Sequence, residues 1–141
     1  MILDTTYLLP LARIAIDLDL LDAIAKGKTN LKLEDVAVSL ISIFELQAKA
    51  AKLMVPAEFV VKAVNVMLNA FKVESFYNPE IIKVSYELKK LIPDYIDCVV
   101  VATAITLKES LITEDSLILA NAEVIKKEYG VNVLSFKDVV K

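Results

Sequence analysis

VAVSLISIFELQAKAAKLM, residues 36–54, changes its pattern once. Val36 to Leu40 reads as a buried strand. Ile41 to Met54 reads as a helix, with Ser42, Glu45, Lys49 and Lys52 on one polar stripe at helical spacing. A strand that feeds directly into a helix is half of a βαβ unit, so the question is whether the neighbours continue the alternation. Upstream, Met1 to Leu3 reads as a short strand ending at Asp4. Thr5 to Lys26 reads as helical, broken near Pro10 and stopped by Gly27, and Lys28 to Asp35 is a polar connection. Downstream, Pro56 opens a helix over Ala57 to Phe71, where only Glu58, Lys62, Asn65 and Asn69 are polar. A helix wet on so narrow a stripe is nearly surrounded by protein, which calls for a second subunit or a partner.

The alternation runs on. Lys72 to Phe76 reads as a strand. Asn78 and Pro79 start a helix reaching about Leu91, with Glu80–Lys83 and Glu87–Lys90 as i,i+3 pairs, and Pro93 breaks the chain. Asp94 to Leu107 is an apolar helix, Ser110 to Thr113 a strand, Ser116 to Tyr129 a helix stopped by Gly130, and Val131 to Leu134 the last strand before a short helical tail. Five short strands separated by helices predict an α/β fold: a three-layer α/β/α sandwich on a parallel sheet, one domain over residues 1–141. In such sheets ligands bind at the carboxyl ends of the strands.

Composition narrows the chemistry. The 141 residues are 57% hydrophobic with only 2 Gly, which leaves no Gly-rich phosphate loop and rules out a disordered chain. No uncharged stretch approaches the ~20 residues that span a bilayer, and no secretory signal is visible, so a cytoplasmic location with no membrane association is expected. There is no histidine and a single cysteine, Cys98, so His-dependent nucleophilic centres and thiolate or imidazole zinc sites are excluded. Any metal must be held by oxygen, which favours Mg²⁺ or Mn²⁺. A net charge of −3 argues against a protein that coats nucleic acid electrostatically, but not against a nuclease whose ion supplies positive charge locally.

Four carboxylates stand beside apolar runs, where an unpaired charge is expensive: Asp4, Glu45, Asp97 and Asp115. Singly, each has a bland reading. Asp4 and Asp115 can cap the helices that follow them, Asp97 can complete a cap begun by Asp94, and Glu45 can face water with Lys49 and Lys52. Taken together, they are placed to converge on one rim of a parallel sheet. Four converging acids raise one another's pKa values, and a divalent cation resolves that conflict. Such an ion can activate water and orient a phosphate for in-line displacement.

In four stretches the sequence resembles the PIN-domain family, in particular the small VapC-type toxin ribonucleases. These are Ile-Leu-Asp-Thr-Thr at 2–6, Ser39 with Ser42 and Glu45, Asp97-Cys-Val-Val-Val-Ala-Thr-Ala at 97–104, and Leu-Ile-Thr-Glu-Asp at 111–115. The resemblance implies a PIN-like fold and Mg²⁺- or Mn²⁺-dependent cleavage of RNA phosphodiesters. It implies that Asp4, Asp97 and Asp115 bind metal, that Glu45 holds a metal-bound water or second ion, and that Thr113 and Thr5 support the acids. It also implies a homodimer through the Ala57–Phe71 helix and a small antitoxin protein as partner. Arg13, Lys49 and Lys52 are candidates for RNA contacts, with solubilising charge as the alternative.

Rival readings are weaker. A haloacid-dehalogenase-type phosphatase needs a second Asp where Thr6 stands, and a receiver domain needs an acidic pair near the first strand. A PIN-like binding or regulatory protein with little nuclease activity is the alternative of a different class.

Overall fold

The computed structural model describes all 141 residues. Its strands are β1 (Ile2–Leu3), β2 (Ala37–Ser39), β3 (Lys72–Glu74), β4 (Leu111–Ile112) and β5 (Val133–Leu134), in one parallel sheet ordered β3-β2-β1-β4-β5. The register pairs Ile2 with both Ala37 and Leu111, and Leu3 with Ile112. Successive strand residues point to opposite faces, and the two cores divide accordingly. Ile2, Ala37, Leu111 and Val133 belong to one, while Leu3, Val38 and Ile112 belong to the other.

The second core is covered by a 3₁₀ helix (Thr5–Ala12), α1 (Leu20–Ala25), α2 (Leu40–Lys52) and α3 (Ala57–Ala70). Leu46 of α2 and Met67 of α3 are fully buried there, each contributing about 1.5–3 kcal/mol by apolar burial. The first core is covered by α4 (Pro79–Leu88), α5 (Tyr95–Leu107), α6 (Ser116–Ala120) and α7 (Ala122–Tyr129), and α8 (Phe136–Val139) closes the chain. Every residue of α5 from Cys98 to Ala104 is buried, so this helix is apolar all round and lies deep in the protein. The three-layer α/β/α architecture is the one expected.

Several local expectations need correction. The long helix over Thr5 to Lys26 is two pieces. Pro10 cannot donate a backbone hydrogen bond and sits inside a tight 3₁₀ segment that ends at Arg13 in the left-handed region, φ 62°. Helix α1 starts afresh where Asp19 accepts a hydrogen bond from Asp22 N at 3.0 Å. The helix over Ser116 to Tyr129 is also broken, at Asn121. Its side-chain amide donates to Leu117 O at 2.9 Å and competes with the backbone ladder. Gly130 ends α7 in the left-handed conformation, φ 77°, as expected of a C-terminal stop.

Glu80–Lys83 and Glu87–Lys90 form no ion pairs; Glu87 instead accepts from the Tyr129 hydroxyl at 3.1 Å. Ser42 is buried rather than wet. Within one chain α3 is not surrounded. Only Ala63 and Met67 are buried, while Val61 and Leu68 are 58% and 54% exposed. No helix is long and apolar enough to cross a membrane.

A candidate acidic centre at the carboxyl rim of the sheet

Because β1 and β4 are adjacent and parallel, the residues that follow them emerge side by side. Asp4 follows β1 and its N–H donates to Ile112 O at 3.1 Å, while Thr113 and Asp115 follow β4. The Thr113 hydroxyl is fully buried and joins the two acids. It donates to Asp4 Oδ2 at 2.6 Å and accepts from Asp115 N at 3.0 Å. Asp4 is itself buried, and its Oδ1 accepts from Thr5 N at 2.8 Å. Thr5 turns its hydroxyl the other way, donating to Glu45 Oε1 at 2.6 Å, so it links β1 to α2. Thr5 is therefore the bridge between Asp4 and Glu45, a larger part than its place after the first Asp suggests.

Helix α2 begins where Ser39, the last residue of β2, accepts from Ile41 N at 3.3 Å. This start directs Glu45 onto the rim. Ser42, one turn before Glu45, is buried with a hydroxyl that has no hydrogen-bond partner. Helix α5 begins with Asp94 accepting from Ile96 N at 2.8 Å and Asp97 N at 3.2 Å, which leaves the Asp97 carboxylate uncommitted. Asp115 likewise caps α6, accepting from Leu117 N at 3.0 Å and Ile118 N at 2.9 Å. The bland capping readings of Asp4, Asp94 and Asp115 are thus realised. For Asp4 and Asp115 capping coexists with proximity, because the Thr113 hydroxyl touches both residues.

The electrostatics extend this neighbourhood to Asp97 and Glu45. Burial pushes the Asp97 carboxyl up to about 7, and Asp115, Asp94, Asp4 and Glu45 all add to the rise. Asp4 is raised by burial, opposed by the Thr113 and Thr5 hydrogen bonds, raised further by Asp115 and lowered by Lys49. Glu45 is raised by burial, lowered by the Thr5 hydroxyl, raised by Asp4 and lowered by Lys49. Asp97 thus lies within the field of Asp115, Asp4 and Glu45, Asp4 within that of Asp115, and Glu45 within that of Asp4, with Lys49 offsetting it at Asp4 and Glu45.

The donor set is all oxygen, which suits a hard divalent cation, and the like-charge conflict is one such a cation relieves. The coordination shell itself is not formed: no group of three or more acidic side chains lies close enough to hold a metal ion.

Two residues carry more than their sequence positions suggested. Asp94 caps α5, but its charge also raises both Asp97 and Glu45. Glu114, between Thr113 and Asp115, accepts from the buried Tyr7 hydroxyl and from Phe136 N at 2.7 Å, and so ties α8 to the rim. Its position inside Thr-Glu-Asp was the only signal available. Of the basic candidates, Arg13 lies over the Phe59 ring at 3.9 Å, a cation–π contact that joins the 3₁₀ segment to α3.

Compared with known families, the sequence matches the PIN domain over residues 1–124. Among solved structures, the fold is similar to FitAcB from Neisseria gonorrhoeae, with TM-score 0.66, 18% identity, and coverage of 98% of this chain and 99% of that one. It is similar to VapBC2 from Rickettsia felis bound to a DNA fragment from its promoter, with TM-score 0.61, 20% identity, and coverage of 95% and 96%. It is also similar to a toxin–antitoxin complex from Klebsiella pneumoniae, with TM-score 0.58, 21% identity, and coverage of 82% and 86%. No curated protein matches.

Proposed function

This chain belongs to the PIN domain family, and from that premise we propose that it is a divalent-metal-dependent endoribonuclease, the VapC-type toxin of a toxin–antitoxin pair. The observation that carries the reading is the rim itself. Asp4, buried and held by Thr5 and Thr113, shares one electrostatic field with Glu45, Asp97 and Asp115. In this reading Asp4, Asp97 and Asp115 hold Mg²⁺ or Mn²⁺, and Glu45 orients water or a second ion. Thr113 fixes Asp4 against Asp115, and Thr5 fixes Glu45 against Asp4. When bound, the ion supplies activation of water and neutralises charge building on the phosphoryl oxygens. The Asp97 carboxylate, half-buried and committed to no hydrogen bond, is free to hold the ion, whose charge would relieve the repulsion that raises this acid.

The partner assignments belong to the same reading. A small antitoxin is supported by the toxin–antitoxin complexes among the similar structures. A homodimer through the Ala57–Phe71 helix is supported by Val61 and Leu68, seven residues apart on one face and more than half exposed. The test is cleavage of RNA by purified protein with and without Mn²⁺, beside Asp4→Asn. Mn²⁺-dependent cleavage that the variant lacks supports the assignment. Equal cleavage by both proteins points to contamination and sinks it.

One observation favours a second reading, a PIN-like binding or regulatory protein with little nuclease activity. The acids do not form a coordination shell. Thermal stabilisation by Mg²⁺ that Asp97→Asn abolishes, accompanied by turnover of RNA, decides for the nuclease.

A further inference from the structure

Of the three basic residues that the sequence singles out, Arg13 lies over the Phe59 ring. Lys49 and Lys52 share the exposed face of α2 with Glu45. Lys49 follows Glu45 by four residues, which places it on the same face and about 6 Å farther along the helix axis. Its ammonium forms no ion pair, since the chain's only two are Met1–Glu109 and Lys26–Asp22, and it makes no hydrogen bond within the chain. Its charge nonetheless reaches the acids, lowering both Asp4 and Glu45. The Thr5 hydroxyl holds Glu45 Oε1, Asp4 is buried against Thr113, and no carboxylate lies within ion-pair distance of the ammonium. The ammonium is free to meet an anion arriving from solvent.

Resting on the reading under Proposed function, we propose that Lys49 binds a backbone phosphate of single-stranded RNA adjacent to the bond being cut. This contact sets the strand across the rim with the neighbouring phosphate over the acids. Lys49 thereby compensates for the repulsion that an acidic centre exerts on a polyanion. A lysine contacts a phosphate as a point charge rather than in a fixed fork, so the contact holds the backbone without reading the base.

The test uses fluorescence anisotropy of labelled single-stranded RNA oligonucleotides of several sequences, titrated with full-length protein across a salt series. An Asp97→Asn background prevents cleavage, and wild-type turnover with Mn²⁺ is measured alongside. Lys49→Ala in that background is expected to weaken binding about three- to tenfold at low salt, by a similar factor on every sequence. It should also reduce the slope of log affinity against log salt by about 0.7, the value for one single-strand phosphate. Lys49→Arg should retain binding. Lys126→Ala, beside Asn132 and Val133 at the amino-terminal end of β5 and so away from the rim, should leave it unchanged. Unaltered affinity and salt slope in Lys49→Ala, or an equal loss in Lys126→Ala, overturns the proposal, as does absence of RNA binding by the background protein. Wild-type protein that binds RNA through Lys49 yet never cleaves it sinks the nuclease reading and leaves the contact standing. Wild-type protein that cleaves while Lys49→Ala binds normally does the reverse.

Discussion

Asp97→Asn should stabilise the metal-free protein at pH 8 while removing its response to metal. In the fold the carboxyl is pushed from 3.8 to about 7, by burial first and then by Asp115, Asp94, Asp4 and Glu45. A shift of that size corresponds to about 4 kcal/mol at 1.36 kcal/mol per unit. Asp97 is only half-buried, and solvent screening cuts the figure to about 1–2 kcal/mol. Its place in the first turn of α5 returns about 0.3–1 kcal/mol through the helix dipole. A net gain of about 1 kcal/mol remains for the amide, or about 3 °C in Tm at this chain length. The sign follows from linkage. Between about pH 4 and pH 7 the folded protein holds a proton that the unfolded chain has released, so this group's contribution to stability falls as pH rises through that window. The advantage of Asn should therefore be absent near pH 3.5, grow towards pH 7 and level off above it. Differential scanning calorimetry of both proteins in chelator, then with Mn²⁺, measures this. Wild type should gain Tm with Mn²⁺, and Asp97→Asn should gain little. A variant less stable than wild type at pH 8 without metal, or a difference constant from pH 4 to pH 8, refutes the electrostatic account.

Thr113→Val should destabilise by about 1–3 kcal/mol in chemical denaturation, because it strips the buried Asp4 carboxylate of a 2.6 Å donor. Its RNA cleavage with Mn²⁺ should fall as well; full activity would show that the Thr113 hydroxyl does not organise the acids. Tyr7→Phe removes one of the two donors to Glu114 and should cost about 1 kcal/mol, with faster amide exchange concentrated in α8. Uniform exchange changes would argue against that tether. Leu68→Glu places a charge on the exposed face of α3 and should convert a dimer to monomer in sedimentation velocity with little change in monomer stability. An unaltered sedimentation coefficient places the interface elsewhere.

Much of the architecture was legible because the chain alternates between two periods. Short apolar runs such as Met1 to Leu3, next to helices opened by Ser39, Asn78 and Asp94, encode the βα units locally. What was not legible depended on tertiary partners. Asn121 breaks the Ser116–Tyr129 helix through its own side-chain amide, a competition that polarity at one position does not announce. Ser42 falls on the polar stripe of α2 by spacing, yet packing buries it. At the centre, residue types and chain order identified the four acids, and the parallel sheet brought Asp4 beside Asp115. The reach of Asp94 into the same field, and the two-way bridging by Thr5, follow from side-chain directions that spacing does not encode.

Helix α5 joins two demands that most proteins keep apart. Cys98 to Ala104 form an unbroken buried run, and Asp97 immediately precedes it. Val101 stands one turn beyond Asp97 in this stiff rod, so a change in its packing is felt at the carboxylate. Trimming Val101 to Ala deep inside should therefore displace the Asp97 carboxylate as well as loosen the fold. If the protein is poisonous when expressed, a genetic selection for survivors should return greasy interior positions along this rod beside the acids themselves. A map of such survivors would then overstate the size of the reactive surface unless each were also scored for folding.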